Sequence, residues 1–188
     1  MKNIFILLLC MLSSSFWAQS DMQNLTKNEE SIRSAGDIIQ YSLPIAAGLS
    51  TVILWDKKGA WQFVKSFGTA IAVTYVLKVL IDKPRPNGGA EGQAFPSGHT
   101  AVAFSGASFI QRRYGWAYGA PSYALAGFVA YSRLQGNEQS HDGWDVAAGI
   151  VVGVGSTYLF TTPYQKEHYE LSFSSGDDTY LLGFKYKF

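Results

Sequence analysis

The chain contains a small set of residues whose types and spacing are suited to handling a phosphate group. They are three basic residues, two histidines, a carboxylate and a serine–glycine pair, in three blocks: Lys78 and Arg85; Ser97, Gly98 and His99; Arg133, His141 and Asp145. Fixed cations bind an oxyanion, and a histidine beside a carboxylate can transfer a phosphoryl group. The set therefore predicts a site for hydrolysis of phosphate esters.

The first block places two cations on either side of a helix end. Lys78 lies near the end of an apolar segment, and Arg85 follows a break at Pro84, so both side chains can converge on one anion. Arginine makes bidentate contacts to oxygen, whereas lysine acts as a point charge. By themselves, such residues more often set topology or reach toward a membrane surface, and only the other two blocks favour phosphate binding.

The second block has the pattern of a helix start. We expect Ser97 to cap the helix, while Gly98 lets backbone amides approach an anion at the positive end of the helix dipole. An ordinary helix start that happens to carry His99 is the alternative interpretation of this block.

In the third block, Asp145 follows His141 by four residues. That spacing lets the carboxylate accept a hydrogen bond from one imidazole nitrogen and leaves the other nitrogen free to attack. A capped helix with a surface histidine is the alternative, and it requires the other two blocks to be coincidental.

Composition favours a membrane protein over a nucleic-acid-binding one. The 188 residues suit a single domain, the formal net charge is +1, and 47% of residues are hydrophobic against 15% charged. Residues 1–20 have the pattern of a secretory signal peptide, with an uncleaved anchor helix as the alternative. Cys10, the single cysteine, lies in that segment, so we expect a mature chain without disulfides.

The elements that must position these blocks are helices. Five apolar stretches rich in small residues follow the signal: 38–54, 63–81, 97–110, 116–131 and 146–160. They predict an all-α, multi-helix bundle of about five core helices, and hydropathy does not separate membrane spans from buried helices of a soluble bundle. With the mature N-terminus outside, Lys57–Lys58 and Arg112–Arg113 fall in the cytoplasm, and the three blocks share the periplasmic face.

The two ends of the mature chain differ from this bundle. Residues 21–37 are polar and are interpreted as a linker or surface helix with no chemical role. Residues 164–188 contain two runs of alternating aromatic and polar residues around a turn at 174–178, which predict a small C-terminal β-hairpin. The predicted organisation is a signal at 1–20, a helical domain at 21–163 and a hairpin tail at 164–188.

Together the blocks resemble the signature of the type-2 phosphatidic acid phosphatase and vanadium haloperoxidase superfamily. That signature runs Lys-x6-Arg-Pro, Pro-Ser-Gly-His and Ser-Arg-x5-His-x3-Asp, and the match covers residues 78–145. The resemblance implies that five residues bind phosphate, His99 protonates the leaving group, His141 is the nucleophile and Asp145 orients it. The implied phosphate ligands are Lys78, Arg85, Ser97, Gly98 and Arg133.

The chain departs from the signature between Arg133 and His141, where seven residues stand in place of five. The longer loop contains Gly136 and can bulge while still delivering both side chains, and it brings Glu138 near the site. We expect neither a metal nor another cofactor, because three cations and a helix N-terminus neutralise the transferred group.

The sequence therefore predicts a metal-independent phosphatase acting on a phosphomonoester or pyrophosphate of a lipid through a phosphohistidine intermediate. We expect it in the inner membrane with its site facing the periplasm and with membrane lipids around it; nucleic acid is not an expected partner. A soluble periplasmic acid phosphatase, a vanadate-dependent haloperoxidase and a non-catalytic phospholipid-binding membrane protein are the alternatives. Protein partners, oligomeric state and lipid head group do not follow from the sequence.

Overall fold

The computed structural model describes residues 27–86, 92–135, 141–164, 169–176 and 179–186. These residues form five α-helices and one antiparallel hairpin. The elements are α1 (Lys27–Ile53), α2 (Lys57–Ile81), α3 (Gly98–Tyr114), α4 (Trp116–Arg133), α5 (Gly143–Phe160), β1 (Tyr169–Gly176) and β2 (Thr179–Tyr186).

Helix α3 lies at the centre of the bundle and contacts each of the other four helices. Small side chains make this possible, since the buried residues are mostly alanine, serine, threonine and glycine. The hydrophobic core cluster contains Leu43, Ala103, Ala107, Ala126 and Val129. Small interfaces of this kind let helix backbones approach closely.

The large apolar side chains lie on the outside of the bundle. Leu80 is 75% exposed and Val151 is 70% exposed, whereas Ala103 at the centre is fully buried. Soluble domains show the opposite distribution, because burying large apolar groups is what stabilises them in water. By length and composition, α2 and α5 are each able to cross a membrane.

Helices α3 and α5 approach each other closely at two glycines of α5. A Cβ atom added at Gly149 would lie 2.6 Å from the backbone oxygen of Ser97, and one added at Gly153 would lie 2.5 Å from that of Ala101. No side chain fits at either position without moving backbone. The two glycines therefore set how near the start of α5 comes to the start of α3.

The opposite end of the bundle is held by a buried ion pair between Asp56 and Arg113. Arg113 donates to both oxygens of Asp56, with Nε and Nη2 each 2.7 Å away, and its Nη1 donates to the backbone oxygen of Thr162 at 2.8 Å. Burial alone would raise the pKa of Asp56, but the hydrogen bond from Arg113 and the amide of Gly59 lower it. This group ties the α1–α2 turn to the ends of α3 and α5.

The predicted helical bundle with a C-terminal hairpin is confirmed. Two boundaries differ from the sequence prediction. Helix α1 begins at Lys27, so polar residues 27–37 continue directly into the first apolar helix. The strands pair as far as Gly176 with Thr179, so residues 174–176, which the prediction placed in the turn, belong to β1. The proposed signal peptide and Cys10 lie outside the described residues.

We expect Gly153→Ala to lower the thermal unfolding temperature of the detergent-solubilised protein. The added methyl group must displace the backbone of α3, and overpacking of this kind costs about 1–3 kcal/mol. Gly155→Ala is the matched control on the same helix, because a Cβ atom there meets nothing within 4 Å. Equal unfolding temperatures for the two variants would contradict the close α3–α5 contact.

Candidate active site

The first block lies where α2 ends. Lys78 is in the last turn, and Asp82 takes a left-handed conformation (φ 40°) that stops the helix before the Pro-rich segment. The Lys78 Nζ donates to the backbone oxygen of Gln93 at 2.5 Å, so it is held at the mouth of the segment that leads to α3. Arg85 is half-buried, and its Nε has no hydrogen-bond partner among the described residues.

The second block caps α3 as its sequence predicts. The hydroxyl of Ser97 accepts from the amide of Thr100, 3.5 Å away, and from its hydroxyl, 3.0 Å away. The amide of Ser97 donates to the backbone oxygen of Asp145 at 2.9 Å, which joins the starts of α3 and α5. A Cβ atom on Gly98 would lie 3.7 Å from Cε of Lys78, so this helix N-terminus adjoins the first cation.

The third block places His141 and Asp145 together at the start of α5. Both side chains are buried, and Nδ1 of His141 lies 3.7 Å from Oδ2 of Asp145. The two atoms are too far apart for a hydrogen bond, and Nδ1 has no hydrogen-bond partner within the described ranges. Distances in unliganded sites are often longer than in the reacting complex.

Asp145 itself is firmly held. Its Oδ1 accepts from Nζ of Lys83 at 2.8 Å, and its Oδ2 accepts from the amide of Asp142 at 3.0 Å. Asp142 is the N-cap of α5 and completes a capping box with Asp145. The carboxylate that faces His141 is therefore held in place by hydrogen bonds from one lysine and from the start of the helix.

Burial and positive charge keep His141 neutral. Burial is the largest cause and lowers the pKa of His141 to about 3; the charges of Lys78, His99 and Arg85 lower it further, and a hydrogen bond to the backbone of Ala94 opposes the shift. At neutral pH the imidazole is therefore unprotonated, and a nitrogen lone pair is available for attack on an electrophile.

Arg133 and His99 meet at a residue of α1. Nη1 of Arg133 lies 3.0 Å from Oδ1 of Asp37, and Nε2 of His99 lies 3.3 Å from the same oxygen. Nη2 of Arg133 also donates to the backbone oxygen of Arg33 at 3.0 Å, and Nε donates to the hydroxyl of Ser132 at 3.1 Å. The guanidinium is thus held by its own helix and by α1.

The eight residues singled out in the sequence lie at one end of the bundle, in two linked groups. Lys78, Arg85 and His99 act electrostatically on His141, and His99 is joined to Arg133 through Asp37. The sequence analysis did not identify Lys83, which donates to Asp145, or Asp37. It assigned no chemical role to residues 21–37, whereas Asp37 contacts Arg133 and His99. Residues 136–140, with Glu138, lie outside the described residues.

The chain belongs to the PAP2 superfamily, whose family model matches residues 59–169, more than half of its length. The resemblance given by the three blocks is therefore confirmed.

Two characterised relatives and one solved structure are similar to it. A lipid A 4'-phosphatase from Helicobacter pylori is 29% identical over 171 residues, covering 83% of this chain and 85% of that protein. A lipid A 1-phosphatase from Porphyromonas gingivalis is 39% identical over 74 residues, which cover 37% of this chain and 16% of that protein. The crystal structure of Aquifex aeolicus LpxE superposes with a TM-score of 0.58 at 18% identity, covering 76% of this chain and 87% of that one, which supports the fold.

We expect Lys83→Met to destabilise the protein at neutral pH, because it leaves an oxygen of the buried Asp145 without its donor, at a cost of about 1–3 kcal/mol. The hydrogen bond from Lys83 is the largest cause that lowers the pKa of Asp142. Despite some desolvation, hydrogen bonds to Asp142 and Asp145 raise the pKa of Lys83. The stability from Asp142 is therefore lost as pH falls through its lowered pKa, and that from Lys83 as pH rises through its raised pKa.

Thermal unfolding of the wild type and of Lys83→Met at neutral pH and at successively lower pH tests this coupling. The difference between the two proteins is expected to be largest near neutrality and to shrink in acid. Lys57→Met removes an exposed lysine and serves as the control. A difference that does not change with pH would rule out an electrostatic origin.

Proposed function

We propose that this protein removes phosphate from a phosphorylated lipid, with lipid A as the first substrate to test, through a phosphohistidine intermediate and without a metal ion. The observation that carries the proposal is the buried His141–Asp145 pair beside Lys78, Arg85 and His99 at one end of a PAP2 bundle. The relation to a lipid A 4'-phosphatase over most of both chains supports the substrate class.

In the first step, Nε2 of His141 attacks the phosphorus atom while the bond to the lipid oxygen breaks. Asp145 accepts the Nδ1 proton in a hydrogen bond that tightens as positive charge develops on the ring. Lys78, Arg85 and the amides at the start of α3 hold the nonbridging oxygens, where charge accumulates. The buried Nε of Arg85, which lacks a protein partner among the described residues, suits this role.

The leaving oxygen requires a proton, and His99 is the residue proposed to give it. His99 then accepts a proton from water as that water attacks phosphorus and breaks the P–N bond, which restores His141 and releases inorganic phosphate. In this scheme His99 gives up one proton and accepts one, so it returns to its starting protonation state.

The placement that we propose is the inner membrane, with the site facing the periplasm. Large exposed apolar residues on α2 and α5 suit a lipid environment, and both helices are long enough to span one. Lys57, Lys58, Arg112 and Arg113 lie at the end of the bundle opposite to the site. The site end also has basic residues, among them Lys78, Arg85 and Arg133, but the proposal assigns these to phosphate. The basic residues at the opposite end have no part in phosphate binding, and they favour a cytoplasmic location for that end.

We expect His141→Ala to abolish phosphate release, with a loss of roughly 10³-fold or more, because no other group replaces the nucleophile. Purified, detergent-solubilised protein is assayed with a chelator on lipid A, phosphatidic acid, a polyprenyl pyrophosphate and an aryl phosphate. His168→Ala changes the remaining histidine of the chain and is the control.

Release from lipids that is lost in His141→Ala supports the proposal. Release from the aryl phosphate alone would favour the soluble acid phosphatase instead. Lipid binding without release, unchanged in the variant, would favour the non-catalytic alternative, and a chelator-sensitive activity would contradict the metal-free mechanism.

We expect His99→Ala to slow hydrolysis of lipid phosphates by about 10²–10⁴-fold, because an alkoxide or sugar oxygen leaves poorly without a proton. An aryl phosphate, whose leaving group is stable as an anion, should lose much less activity. Comparison of kcat/KM across a series of leaving groups measures the difference. Equal losses for good and poor leaving groups would contradict the role of His99 as an acid.

A further inference from the structure

Helix α1 brings a carboxylate into the candidate site from outside the three motif blocks. Oδ1 of Asp37 lies 3.0 Å from Nη1 of Arg133 and 3.3 Å from Nε2 of His99, so one oxygen faces two proposed phosphate-handling residues. By strict geometry Oδ1 of Asp37 has no hydrogen-bond partner among the described residues, and its contact with His99 is an ion pair only when that ring is protonated.

The local packing shows that this approach of α1 is built into the fold. A Cβ atom added at Gly36 would overlap the hydroxyl of Ser132 and lie 2.8 Å from Nη2 of Arg133. The backbone oxygen of Arg33, one turn earlier, accepts from the same Nη2 at 3.0 Å. Arg33 and Gly36 of α1 thus pack against Ser132 and Arg133. This packing places the Asp37 carboxylate between Arg133 and His99.

The charges around His99 give this carboxylate a chemical consequence. Burial is the largest cause that lowers the pKa of His99, the charges of Arg133 on α4 and Lys78 on α2 lower it further, and Asp37 acts in the opposite direction. His99 in turn acts electrostatically on His141, which precedes α5. Asp37 on α1 is the carboxylate in contact with the ring of His99. A proton donor must carry its proton when the substrate binds, so a compensating negative charge is needed at this position.

We propose that Asp37 is a positioning residue that holds His99 as a proton donor and fixes the guanidinium of Arg133 beside it. Its contact with Nε2 leaves Nδ1 of His99 as the nitrogen that can donate to the leaving oxygen. This inference rests on the proposed function, and it makes α1 a functional part of the site in addition to the three motif blocks.

The same carboxylate has an opposite effect on anion binding. A negative charge beside Arg133 weakens the attraction of the site for phosphate, because like charges repel across a few ångströms. Asp37 therefore favours the chemical step at some expense of binding. Removal of its charge should therefore lower kcat without weakening anion binding. Loss of a merely structural contact would instead lower kcat and weaken anion binding together.

The test is Asp37→Asn, which keeps the size of the side chain and removes its charge. We expect kcat for a lipid phosphate to fall about 10- to 100-fold, part of the contribution of a general acid. An aryl phosphate should change by less than about threefold, the pattern of His99→Ala in weaker form. Orthovanadate, measured by calorimetry or by its effect on thermal unfolding, should bind the variant as tightly as the wild type or more tightly.

Glu30→Gln is the matched control, since it removes an exposed carboxylate from the same helix. It should leave both substrates and vanadate binding unchanged. Equal losses on the lipid and the aryl phosphate with weaker vanadate binding would show a structural role and overturn the proposal. Wild-type kinetics in Asp37→Asn would overturn it as well.

The failure of this inference differs from the failure of the proposed function. If the wild type releases phosphate and Asp37→Asn shows no dependence on the leaving group, only the role of Asp37 is wrong. If the wild type releases no phosphate from any substrate, the phosphatase proposal fails, and the role of Asp37 in turnover fails with it.

Discussion

The close contact between α3 and α5 is the constraint on which the candidate site depends. Gly149 and Gly153 let the two helix backbones meet, and the amide of Ser97 then donates to the backbone oxygen of Asp145. This bond places a helix N-terminus, which attracts anions, next to the His141–Asp145 pair. A larger side chain at either glycine would move the amides at the start of α3 away from His141.

The two ends of the bundle differ in how their charged residues are paired. At the end opposite to the site, Asp56 and Arg113 neutralise each other in a buried, bidentate pair that joins three elements. At the site end, Nε of Arg85 is buried and has no hydrogen-bond partner among the described residues. The Asp56 and Arg113 charges are therefore paired with each other within the fold, whereas Nε of Arg85 at the site end is free of a protein partner among the described residues and can bind an anion.

The sequence predicted the parts of the site that depend on local spacing. Ser97 caps α3 because serine before a helix satisfies a free amide. Asp145 lies beside His141 because His141 directly precedes Asp142, the N-cap of α5, and Asp145 is in the first turn of that helix. Lys83 and Asp37 escaped prediction because their partners are distant in sequence: Lys83 meets Asp145 across 62 residues, and Asp37 meets Arg133 through tertiary packing of α1. From the sequence alone, a polar residue next to an apolar stretch does not indicate which other helix its side chain will contact.

The docking of α1 on the end of α4 has a consequence for how the protein is made. The carboxylate beside His99 is synthesised early, whereas Arg133 and the buried histidine are synthesised much later. The candidate site can therefore form only in a chain long enough to contain α5 as well as α1, since Asp37 comes from the first of these helices and the His141–Asp145 pair from the start of the last.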